Sequence, residues 1–135
     1  MIRLENGDIL NQCIENFAVK HHLSAASLAF VGGVDKGSRL IVGPEDGEAL
    51  PVTPMEHRLA EAHEAFGTGT IFSDEQGRPV LHMHISCGRG RHAITGCVRL
   101  GVKIWHIGEV ILEEITDTSA VRRADVRTGF NLLEP

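Results

Sequence analysis

The chain has 135 residues and carries 18 acidic against 13 basic side chains, a formal net charge of −5. A chain of that length buries enough surface for one core without disulfide or metal staples, while its acidic balance disfavours a module whose affinity comes from neutralising many phosphates. With one Trp, five Phe and no Tyr, the interior falls to Val, Ile, Leu and Ala, and the eight histidines stand out as the place to look for chemistry.

Asn6-Gly7-Asp8 is a turn signal, and Asp8 is placed to cap a helix by accepting backbone N–H bonds. Leu10, Cys13, Ile14, Phe17, Ala18 and His21 then recur at three- and four-residue spacing, which predicts an amphipathic helix over about residues 9–22 with Cys13 on its apolar stripe. Ala25 to Val31 reads as a strand ended by Gly32-Gly33, and Ser38 to Gly43 as another. The intervening Gly32-Gly33-Val34-Asp35-Lys36-Gly37-Ser38 fails the spacing of a phosphate loop, because the Lys precedes the last Gly. Leu59, Ala62, His63 and Phe66 have helical spacing, yet Gly67 to Phe72 is strand-like, so a helix running into a strand near residue 65 is expected. Beyond Thr70, strand-like runs alternate with turn residues: Pro79 to Cys87, Ala93 to Arg99, Val102 to His106, and Glu109 to Ile115 after Gly108. One main helix packed on a largely antiparallel sheet of about seven or eight strands makes an α+β fold, with residues 1–135 as a single domain.

Within Leu81-His82-Met83-His84-Ile85-Ser86-Cys87, the period of two places His82, His84 and Ser86 on one face and Met83, Ile85 and Cys87 on the other. The two histidines then stand with Cα atoms ~6.5–7 Å apart, a spacing from which both imidazoles reach one metal ion. Centring the hairpin turn between Gly90 and Arg91 sets His84 opposite Cys97, Ser86 opposite Thr95 and His82 opposite Arg99, and opposed residues point to the same side. A one-residue slip would send Cys97 to the apolar face. His82, His84 and Cys97 are therefore a candidate three-ligand set, whose N,N,S donors suit Zn²⁺ or a similar transition metal and leave a fourth position open. The competing reading makes Cys97 a small core residue and the histidines cross-strand hydrogen-bonding groups. Thr95 and Arg99 flank the site, and Glu64, in His63-Glu64, is the acid/base candidate if its strand adjoins the hairpin.

The three cysteines form no C-x-x-C pair and are odd in number, which fits a reducing compartment better than a disulfide framework. No segment approaches the ~20 apolar residues of a membrane span and the N-terminus lacks a signal-peptide pattern, so a cytoplasmic protein without a membrane partner is expected.

The order of a helix, Ala25-Ala26-Ser27-Leu28, Gly32-Gly33-Val34, His63-Glu64 to Gly69, Pro79 to His84, Gly88, Thr95-Gly96-Cys97, Glu109-Val110 and Thr128-Gly129-Phe130 resembles the plant-and-prokaryote-conserved (PPC) domain family over nearly the whole chain. Members carry His-x-His followed by Gly-Gly-His in the next strand; here that last position reads Thr95-Gly96-Cys97, a His replaced by Cys. The resemblance implies a homotrimer with the histidine region near the subunit interface. It also implies an association with DNA, since plant members join the domain to AT-hook segments; the echo here, Arg89-Gly90-Arg91, lacks the following Pro and falls in a hairpin turn. Two functional expectations follow. One is a metal-centred module that binds a small molecule or hydrolyses one with metal-activated water; the other is a DNA-binding or transcription-associated regulatory module.

Overall fold

Alternation of apolar and polar residues draws most of the chain into strands. The computed structural model describes residues 1–135 and contains β1 (Ile2–Glu5), α1 (Leu10–Lys20), β2 (Ala25–Val34), β3 (Arg39–Pro44), β4 (Pro54–Arg58), β5 (His63–Ser73), β6 (Pro79–Arg89), β7 (His92–Cys97), β8 (Ile104–Glu114), β9 (Val121–Asp125) and β10 (Phe130–Glu134). Eight strands form one antiparallel sheet in the order β1-β8-β2-β5-β6-β7-β3-β4, and β9 and β10 form a separate hairpin. The α+β expectation holds, with one helix on a mainly antiparallel sheet. No helix is long and apolar enough to cross a membrane.

The core lies between α1 and one face of the sheet. Leu10, Ile14 and Ala18 of α1 pack with Leu28 and Phe30 of β2, Ile71 of β5, and Met83, Ile85 and Cys87 of β6. Cys13 packs beside them, as the stripe predicts. Asp8, however, does not cap the helix. Its Oδ2 accepts the Glu5 N–H at 2.8 Å, the N-cap residue is Ile9 with no side-chain bond, and the Leu10 N–H donates to the Val102 carbonyl at 2.8 Å. A tertiary backbone bond thus satisfies a donor that the sequence assigned to a cap.

Three other expectations are corrected. No helix runs through residues 55–66: Pro54–Arg58 is an edge strand paired with β3, and Leu59 is buried while Phe66 is exposed. Four residues at helical spacing were outweighed by cross-strand pairing, including the bidentate Arg39–Glu56 ion pair. Gly32-Gly33 does not end β2 but carries a bulge within it, and the strand continues to Val34. Gly108 does not divide two strands; it lies inside the 11-residue β8, opposite Leu4 on one side and Gly32 on the other.

Candidate metal centre

The hairpin β6–β7 forms in the expected register, with His84 opposite Cys97, Ser86 opposite Thr95 and Arg89 opposite His92. Gly90, at φ 60°, makes the tight turn. Met83, Ile85 and Cys87 are buried on the helix side, which leaves His82 and His84 on the opposite face. There the neighbouring β5 sets Thr70 beside His82 and Thr68 beside His84. The β5 strand lies close because residues 67 and 69 have no side chain. A Cβ on Gly67 would stand 2.2 Å from the His84 carbonyl oxygen, and one on Gly69 would stand 2.7 Å from that of His82.

The ladder between β6 and β7 stops at Cys97, so the expected pairing of His82 with Arg99 is not made. The chain turns instead through a 3-10 turn, Val98–Leu100. As a result, residues 79–83 of β6 have no β7 partner, and this free edge is one wall of a cavity of about 720 Å³. The Leu81 N–H on that edge donates to Glu15 Oε1 of α1 at 3.1 Å. The 3-10 turn contributes Val98 and Arg99, and the β9–β10 hairpin closes the far side with Arg122, Phe130 and Leu132.

His82, His84 and Cys97 come together at this cavity. One Nδ1 or Nε2 from each histidine and the Cys97 Sγ all lie within 4.8 Å of one another. Ligand atoms on a tetrahedral zinc lie about 3.3–3.8 Å apart given its bond lengths, so the three side chains need close in by only about 1 Å. The donor chemistry fits: two imidazoles and a thiol suit zinc, and three protein ligands would leave a fourth position open. Burial, together with the positive charges of Arg122, His84 and Arg99, holds His82 below its ordinary pKa. That favours the neutral imidazole, the form that ligates metals. Arg99 Nε donates to Cys97 Sγ at 3.3 Å, which supplies a positive partner for a thiolate ligand. The other two thiols lie on the core side; burial pushes Cys87 up to about 11 and raises Cys13.

Of the flanking candidates, Arg99 reaches the centre and Thr95 does not; Thr95 is exposed opposite Ser86. Glu64 stands on β5 opposite Gly88, four positions from Thr68, the partner of His84. At ~3.3 Å per residue that is ~13 Å along the strand, outside the cluster. Arg89 of the AT-hook echo is folded back, its Nη1 donating to the Ala62 carbonyl at 2.8 Å. The residues that the sequence reading missed are on the hairpin after residue 120. Their signal was present, as Asp125 to Gly129 is turn chemistry between two short strand-like runs. The Asp125 carboxylate accepts both the hydroxyl and the backbone N–H of Thr128.

The model of the Plants and Prokaryotes Conserved (PCC) domain matches residues 1–116. No curated protein matches the chain. Among solved structures, a metal-containing protein of Archaeoglobus fulgidus is similar with a TM-score of 0.82 at 20% identity, covering 99% of this chain and 91% of that one. A PPC protein of Pyrococcus horikoshii gives 0.80 at 19% identity, with coverage of 99% and 91%. A Ralstonia eutropha JMP134 protein provisionally described as DNA-binding gives 0.74 at 24% identity, with coverage of 99% and 89%.

Proposed function

This chain belongs to the Plants and Prokaryotes Conserved domain family, and from that premise we propose that it is a metal-centred, small-molecule-binding protein whose ion is held by His82, His84 and Cys97. The convergence of those three donors at a cavity carries the reading. Zinc is the ion the N,N,S set suits, and it would supply a Lewis acid and an acidified water at the open position. The chain's own residues do the rest: Arg99 holds the sulfur, Gly67 and Gly69 let β5 brace the histidine strand, and the β9–β10 hairpin lines one side of the cavity. The metal-containing description of the Archaeoglobus fulgidus protein, which shares the fold, supports the same reading.

The protein is cytoplasmic in this reading and assembles as a homotrimer through the sheet face opposite α1. Support for assembly comes from Val31, Phe66 and Ile111, exposed apolar side chains at neighbouring positions of that face. Metal analysis of the purified protein is the test. One zinc per chain, lost in Cys97→Ala with the fold intact, is expected; no metal after supplementation overturns the assignment.

A second reading, DNA binding, rests on the description of the Ralstonia eutropha protein. The charge distribution opposes it. Arg3, Arg39, Arg78, Lys103 and Arg123 are each tied to a carboxylate, and the net charge is −5. Micromolar binding with a steep salt dependence in a retardation assay would reverse this ranking.

A further inference from the structure

Arg122 is the one charged residue buried in the molecule, only 5% exposed, and no carboxylate pairs with it. Its neighbour Arg123 shows what a neutralised arginine on the same strand looks like, bridging Glu75 and Glu134. Arg122 instead donates from Nη2 to Thr70 Oγ1 at 3.0 Å and from Nη1 to the Asn131 carbonyl at 3.4 Å, both neutral acceptors. Its Nε has no partner. The other buried side-chain polar atom without one is Asn11 Oδ1, and both residues line the cavity beside His82, His84 and Cys97. A buried charge is retained at a cost unless an opposite charge meets it.

The electrostatics sharpen when the metal reading is added, on which this inference rests. Two guanidiniums, Arg99 and Arg122, share the cavity with a single carboxylate, Glu15, which is engaged with the Leu81 N–H. A divalent ion with one thiolate ligand adds further positive charge to that wall. An anion at the open position resolves the excess, and guanidinium is the side chain best suited to fork onto an oxyanion. Val80, Phe130, Leu132 and Leu133 give the lining an apolar part, and the volume of about 720 Å³ is that of a small-molecule site.

We propose that this cavity binds a small organic oxyanion, a carboxylate or phosphate group on an apolar body, with the anionic head between Arg122, Arg99 and the open metal position. Arg122 is the specificity-determining residue and the β9–β10 hairpin supplies the apolar wall.

Isothermal titration of zinc-loaded and metal-free protein with hexanoate, inorganic phosphate and the neutral hexanol tests this, with zinc measured in the same samples. Hexanoate or phosphate is expected to bind at least tenfold more tightly than hexanol, and whichever binds identifies the head group. Arg122→Gln and the exposed Arg99→Gln are each expected to lose at least tenfold; if Arg122→Gln fails to fold, Arg99→Gln decides. Equal affinity for hexanoate and hexanol without phosphate binding, or anion binding undiminished in the folded arginine variants, overturns the proposal. Zinc at one per chain with no anion bound also overturns it while leaving the metal centre standing. Anion binding without zinc removes the metal centre and keeps the pocket.

Discussion

Phe66 and Phe72 stand six residues apart on one strand and one face of the sheet, yet Phe66 is 67% exposed and Phe72 only 6%. Both belong to the face that α1 does not cover. At the Phe72 end, the β9–β10 hairpin folds over, bringing the Arg122 guanidinium within 5.9 Å of the ring centroid, and the backbone of Arg122 forms an isolated parallel β-bridge with that of Asp74, the residue after β5. At the Phe66 end nothing of the chain folds over, and Val31 and Ile111 are exposed beside it. The same alternating pattern therefore yields a walled cavity where the chain covers itself, and an exposed apolar patch, the proposed assembly surface, where it does not. The candidate metal ligands lie at the walled end.

The largest effect that separates the two ends is expected from Phe72→Ala. Truncating a buried Phe costs about 3–5 kcal/mol, to be read by urea denaturation at fixed protein concentration; a loss under about 1 kcal/mol would mean that the hairpin does not pack on the ring. Zinc should come next. At a hundredfold excess over Kd it adds about 2.7 kcal/mol to stability, measured by melting with and without a chelator, and the gain should vanish in Cys97→Ala. Gly67→Ala pushes on the His84 carbonyl and should cost about 1–3 kcal/mol as overpacking, with zinc affinity falling as His84 shifts; unchanged affinity would show that this close approach does not position the ligand.

At the bare end the expected effect on the isolated chain is small. Phe66→Asp should leave its unfolding energy within about 0.5 kcal/mol, while light scattering should show the proposed trimer reduced to single chains; an unchanged assembly would move the interface elsewhere. Acid gives the mildest effect. The Thr128 hydroxyl, with help from the Thr128 and Arg127 backbone N–H groups, holds the Asp125 carboxyl below the usual carboxylate range. The charged form is the one bonded in the fold, so its contribution is complete above about pH 4 and fades as pH falls through the lower folded value. Amide exchange across residues 121–134 should therefore speed up on acidification before that of β5 and β6, and Asp125→Asn should erase the difference.

Much of the site was legible in the chain because a strand's period and a two-residue hairpin turn are local rules. Once Gly90-Arg91 was placed at the turn, His84 had to face Cys97, and the burial of Met83, Ile85 and Cys87 followed from the alternation. Where local rules were extended past their reach they failed. The pairing of His82 with Arg99 assumed that β7 continues, and the helix through residues 55–66 assumed that spacing outweighs pairing with β3. The Asp8 cap assumed a local partner for donors that Val102 satisfies from across the fold.

The amino-acid sequence by itself determined the α+β class, the register of the β6–β7 hairpin and the three converging donors, since these follow from residue periodicity and from one tight turn, rules that act over short stretches of chain. Only the tertiary structure decided that the β9–β10 hairpin folds over one end of the open face, that β7 stops short and leaves a wall of β6 free, and that Arg122 is buried without a counter-charge. Those outcomes depend on which distant segments compete for the same apolar surface. Composition and periodicity carry no record of that competition.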